Sequence, residues 1–110
     1  MRRIMEKKIT EARERNYRCL EQVIGCKWSV SVLRCVELGV NRPGALEREI
    51  EGISKKVLAE RLRKLSAYGL LTKKVFPEVP PRTEYSLTGK GRRLVELLGA
   101  IRRLDEEDGY

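Results

Sequence analysis

Apolar positions recur along this chain with two periods, and the change from one to the other marks its centre. Leu58, Leu62 and Leu65 are spaced by four and three residues, so one face of a helix carries all three. Lys56, Ala59, Glu60 and Arg63 project from the other side of that helix, which the pattern places at 54–66. Ser54 suits its N-cap, because a serine oxygen accepts from the free amides of a first turn. Gly69 suits a left-handed stop. From Leu70 to Phe76 the pattern becomes branched and apolar with Lys73 and Lys74 inserted, which predicts a strand. Pro77, Pro80 and Pro81 exclude helix and predict a stiff, extended loop. Thr83–Leu87 then returns as a second strand.

Upstream, residues 2–15 are charged around a thin apolar stripe of Ile4, Met5, Ile9 and Ala12. This predicts a helix that needs a partner, because its own apolar face is small. Asn16-Tyr17-Arg18 reads as a break, and 19–24 as a short helical turn ending at Gly25. Lys27–Leu38 is apolar on most sides, and periodicity alone leaves helix and buried strand open. Its length favours a central buried helix stopped by Gly39. Asn41-Arg42-Pro43-Gly44 is turn chemistry, with Pro43 fit for a first helical turn. Ala45–Ile50 is a short amphipathic helix, and Glu51-Gly52 turns the chain into the basic one. Two helices joined by a short glycine-containing turn are a helix-turn-helix unit.

After the second strand, Thr88 suits the cap of a closing helix. Leu94, Leu97, Leu98, Ile101 and Leu104 make a continuous seam along it, about three turns long. At 110 residues the chain suffices for one domain. The expected parts are an N-terminal helix at 1–18, a winged-helix core at 19–87, and a closing helix and tail at 88–110. The fold class is mainly α with a small β-wing, a winged helix-turn-helix. The seam of the closing helix has no partner within so small a core. With Ile4, Met5 and Ile9 it is expected to form a homodimer interface, since reading two adjacent turns of duplex takes two modules.

Charge sharpens the picture. The net charge is +8, which speaks to partners and not to fold. It is concentrated: 54–82 carries a net +6, whereas 43–53 and 99–110 each carry −2. A basic helix followed by a basic hairpin points to duplex DNA. The major groove displays a distinguishable donor and acceptor code on the base edges. Ser54, Lys55, Lys56, Ala59, Glu60 and Arg63 are the candidates near that groove: lysine and arginine pair with guanine, and Ala59 can lie against a thymine methyl. Lys64 is placed at phosphate or solvent, and Arg61 nearer the apolar seam, a structural position. In the wing, Lys73, Lys74 and Arg82 can neutralise phosphates, and Arg82 can enter a minor groove.

The chain has no histidine, no phosphate loop and no nucleophile elbow, so neither an enzyme nor a metal or other cofactor is expected. No run approaches the roughly 20 apolar residues that cross a bilayer, so no membrane association is expected and a cytoplasmic, reducing location follows. Three cysteines, Cys19, Cys26 and Cys35, make no disulfide framework. Cys35 sits among Val32, Leu33 and Val36 as a small core residue. Cys19 lies beside Arg18, and Cys26 beside Lys27 at a helix start, both settings that favour thiolate. The bland reading, a buried or inert thiol, is the stronger one for Cys19 and stronger still for Cys35.

These residues resemble the HxlR-type winged helix-turn-helix transcription regulators, a MarR-like family. Cys19 and then Gly25-Cys26-Lys27-Trp28-Ser29 resemble that family's opening cysteine and Gly-Gly-Lys-Trp motif. Gly52-Ile53-Ser54, Lys56, Leu58, Arg61-Leu62 and Leu65 resemble its recognition helix. Gly69-Leu70, Val79-Pro80-Pro81-Arg82, Glu84-Tyr85, Leu87-Thr88 and Gly91 resemble its wing and closing helix. The match covers roughly residues 19–98. Cys26 replaces the usual second glycine, Leu20 replaces a common proline, and Arg42-Pro43-Gly44-Ala45-Leu46 replaces Arg-Phe-x-Glu-Leu. The resemblance implies a dimer on a two-fold related operator, joined through its N- and C-terminal helices. It also implies, for some members, a redox sensor at the early cysteine, here Cys19. No motif names an effector. The competing reading is a winged-helix module that docks onto a protein instead of DNA, since fold alone does not settle function. A thiol enzyme is a distant third, for want of a base beside any cysteine.

Overall fold

The computed structural model describes residues 2–107, with backbone alone for 2–6 and 9. In chain order the elements are α1 (Arg2–Ile24), α2 (Lys27–Glu37), α3 (Pro43–Glu49), α4 (Lys55–Ala67), β1 (Leu71–Phe76), β2 (Arg82–Leu87) and α5 (Gly89–Glu107). This is a winged helix-turn-helix. The two strands pair antiparallel, from Leu71 opposite Leu87 to Phe76 opposite Arg82.

The core forms around α2, whose Val32 and Leu33 are fully buried. The open choice between helix and strand over this segment therefore resolves as helix. Leu46 comes from α3, Leu58, Leu62 and Leu65 from α4, and Leu70 and Leu71 from the approach to the wing. Leu94 and Val95 of α5 close it from below. The spacing of the α4 leucines is the spacing of its buried face, as the sequence pattern requires.

Local chemistry sets the ends of the elements. The Ser54 side chain accepts from the Val57 amide at 3.1 Å, which caps α4. Pro43 occupies the first turn of α3, where its missing N–H costs nothing. Gly52 at φ +84° and Gly69 at φ +74° make the two turns that enter and leave α4, in a region that side chains with a Cβ rarely adopt. At the start of α5, Thr88 accepts from the Gly91 amide at 2.9 Å and donates to the Gly69 carbonyl at 2.6 Å.

Two expectations are corrected. The break at 16–18 does not exist: α1 runs unbroken to Ile24, and Asn16-Tyr17-Arg18 lies within it. Asparagine and tyrosine weaken a helix by only about 0.7 kcal/mol each relative to alanine, and no proline or glycine interrupts the segment. Arg18 also pairs with Glu14 one turn earlier, at 3.7 Å. The boundary of the core at residue 19 accordingly falls inside a helix, whose last turns dock through Leu20 and Val23. Leu94 is the other correction. It is only 5% exposed within the protomer and belongs to the core. Together with Gly91 and Val95 it forms the buried face of α5, while Leu97, Ile101 and Leu104 remain 61, 54 and 59% exposed. Leu98 lies between these groups and packs partly onto the core. The expected seam is thus two faces, one intramolecular and one open. Ile4, Met5 and Ile9 have side chains outside the described residues.

Candidate nucleic-acid interface

The reading face is the side of α4 turned away from its leucines. Lys55, Lys56, Ala59 and Arg63 are all exposed, while Glu60 is half-buried. Lys55, Ala59 and Arg63 recur every four residues and rise about 12 Å along one side of the helix. Lys56 and Glu60 lie on the adjoining row. Ser54 uses an acceptor lone pair on the cap, and its exposed hydroxyl keeps a proton to donate. Among the described residues, the ion pairs involve Arg18, Arg42 and Arg82, and none engages Lys55, Lys56, Arg63 or Lys73. These four cations are therefore held out in water with nothing to be released from before they meet a polyanion.

The wing divides its charges between its two faces. Side chains alternate along a strand, so Lys73 and its cross-strand partner Tyr85 share one face, and Lys74, Phe76, Arg82 and Glu84 share the other. Lys73 faces the helices: with Lys55, Ala59 and Arg63 it lines a cleft whose other walls come from α3, Leu58, Leu62, Ser66 and Tyr85. The sequence did not single out Tyr85 or Ser66. The available signal was the register, since Tyr85 must lie opposite Lys73 once the hairpin closes. Burial pushes the Tyr85 phenol pKa up, so it keeps its proton across neutral pH.

Arg82 is not the free cation expected of it. It pairs with Glu78 at 3.2 Å and lies 3.7 Å from Glu84, and its guanidinium stacks over Phe76 at 4.0 Å from the ring centroid. Glu84 in turn pairs with Arg42 at 3.4 Å. Lys74 sits over the same Phe76 ring at 4.9 Å. Arg82 thus braces the base of the wing loop, and a minor-groove role would require it to give up two carboxylates.

The cysteines separate by environment. Cys26 is the N-cap residue of α2. Burial raises its pKa, but the Ser29 hydroxyl and amide, the nearby Arg61 guanidinium and the Trp28 amide outweigh burial and leave it below the ordinary thiol value. Cys35 is shifted the other way, by burial and by Glu49. Cys19 is half-buried on α1, and its neighbour Arg18 is directed to Glu14. Because the thiolate is the nucleophile, iodoacetamide at pH 8 is expected to alkylate Cys26 several-fold faster than Cys35, with the gap narrowing as pH rises past both pKa values. Peptide mass mapping over time reads the two rates, and equal rates at pH 8 would contradict the assignment.

Residues 23–108, from the end of α1 through α5, match the HxlR-like helix-turn-helix family. The chain belongs to that family. An HTH-type transcriptional regulator of Synechocystis is 43% identical over 81 residues, which are 74% of this chain and 60% of the relative. The chain therefore spans less than two thirds of that protein. A Fusobacterium mortiferum protein named as the regulatory protein MalR is 36% identical over 101 residues, 87% of this chain and 95% of the relative. Among solved structures, one described as a MarR-family transcriptional regulator from Enterococcus faecalis superposes with a TM-score of 0.78 at 32% identity, covering 87% of each chain. The family and these HxlR-like relatives are transcriptional regulators and not enzymes. Among the described residues no helix is long and apolar enough to cross a membrane, and no cluster of metal-ligating side chains occurs.

Proposed function

We propose that this chain is a homodimeric, sequence-specific duplex DNA-binding regulator, acting most simply as a repressor that covers a promoter. The observation that carries the reading is the row of unpaired, exposed cations on α4, Lys55, Lys56 and Arg63, with Lys73 of the wing beside it. Phosphate contacts hold such a protein in register, and the α4 side chains that reach base edges specify sequence. The exposed row of Leu97, Ile101 and Leu104 on α5 supports pairing of two copies, because these apolar side chains find no cover within the protomer. Tyr17 and Ile24 of α1 add exposed apolar surface of the same kind.

The test is fluorescence anisotropy on duplex from the region upstream of the protein's own coding sequence, with scrambled duplex as control, across a salt series. Tighter binding to the upstream duplex, weakening steeply as salt rises, is expected for a regulator that acts on its own promoter. Sedimentation at micromolar concentration should return twice the 12.7 kDa chain mass. Absence of binding to either duplex at low salt would overturn the DNA reading, and a monomeric mass would overturn the dimer.

A further inference from the structure

The cleft between α3, α4 and the wing is larger than a DNA backbone needs. Its volume is about 590 Å³, inside the roughly 300–1,000 Å³ range of small-molecule sites. The edges of Leu58 and Leu62 and the Tyr85 ring line its apolar part, while Lys55, Arg63 and Lys73 stand around it. Glu47 is the one carboxylate among the lining residues, so the cleft is net positive. The Ser66 side chain, on the same wall, has an oxygen with no hydrogen-bond partner.

A phosphodiester uses only part of this arrangement. It can meet the cations, but it has nothing to place against Leu58, Leu62 and the tyrosine ring. A molecule that satisfies both parts has an apolar body and a single anionic head. We propose that this cleft binds a small carboxylic acid with an apolar body, and that ligand and duplex exclude one another. The body lies against the leucines and the ring, and the carboxylate takes Lys73 and Arg63. Exclusion rests on the DNA reading above, since those cations belong to the face proposed for the duplex. Binding of the acid itself does not.

The experiment uses the full chain, ¹⁵N-labelled, titrated with 2-naphthoate and, separately, with the neutral 2-naphthylmethanol. Saturable amide shifts at Leu58, Leu62, Lys73 and Tyr85 are expected with naphthoate. The alcohol should bind about tenfold more weakly, as should naphthoate to Lys73→Glu, because each change removes attraction between unlike charges at a partly screened site. Saturating naphthoate should also release bound duplex in the anisotropy assay. No saturable shift at these amides by about 5 mM, a concentration that any specific site of useful affinity exceeds, would overturn the site. Equal affinity for acid and alcohol would overturn the anionic head. Duplex that stays bound beside naphthoate would overturn exclusion. A protein that takes up naphthoate at the cleft yet binds no duplex would leave the site standing and remove the DNA reading alone.

Discussion

Gly91→Ala is expected to lose about 2 kcal/mol of stability, although alanine is the better helix former by up to about 1 kcal/mol. Two effects of opposite sign meet at this residue. Gly91 is buried in the first turn of α5, directly over the end of the α4 turn. A Cβ placed there would overlap the Leu70 carbonyl oxygen and crowd the Leu87 side chain. The carbonyl cannot move aside cheaply, because it accepts from the Thr88 amide at 3.1 Å. The neighbouring carbonyls are tied to the same helix start: Gly69 accepts from Thr88, and Tyr68 accepts from Lys90 at 3.1 Å. Making room means lifting α5 off this cluster and stretching several hydrogen bonds, a strain of about 1–3 kcal/mol or more before the propensity gain is subtracted. Gly99→Ala is the paired control. Its Cβ would meet only the end of the flexible Arg103 side chain at 3.5 Å, so propensity acts alone and stability rises by about 0.5–1 kcal/mol. Urea unfolding at one fixed protein concentration reads both changes, the fixed concentration being needed where association contributes. Equal signs for the two substitutions would show that α5 does not press on Leu70.

Much of this fold is legible in the sequence because its elements are strongly punctuated. Gly52, Ser54 and Gly69 frame α4, the prolines frame the wing loop, and Thr88 starts α5. Each of these residues does locally what its chemistry requires, and no distant contact has to be known. The misreadings arise where distance matters. Asn16-Tyr17-Arg18 has weak helix formers but no true breaker, and docking of Leu20 and Val23 carries the helix through. Leu94 and Leu97 have the same identity and nearly the same neighbours in sequence. Only the position of α2 beneath α5 makes one a core residue and leaves the other in water. Arg82 was read as a free cation because Glu78 and Glu84 were counted as scattered charges, whereas the hairpin brings both to it. On α4 the candidates needed no such knowledge, since a helix with three buried leucines fixes which side remains outward.

Lys56→Ala and Arg63→Ala are each expected to weaken binding to a specific duplex by about tenfold to a hundredfold, the 1–3 kcal/mol that one good base-edge pairing is worth. Under the proposed function both side chains work in the major groove, so their loss should relax sequence preference and leave non-specific affinity less affected. Lys73→Ala should behave differently. A phosphate contact carries no sequence information, so specific and scrambled duplex should weaken alike. The salt dependence should flatten too. Each phosphate contact contributes about 0.9 to the slope of log affinity against log salt, and a dimer loses one contact in each half, so the slope should fall by about 1.8. Arg82→Ala makes the sharpest comparison. With its guanidinium held by Glu78, Glu84 and Phe76, its removal should leave the slope nearly unchanged and cost wing rigidity instead. Anisotropy across a salt series, on specific and scrambled duplex, separates the three behaviours. If Arg82→Ala flattened the slope as much as Lys73→Ala, the arginine would have to leave its carboxylates on binding, and the wing would meet the duplex with its other face.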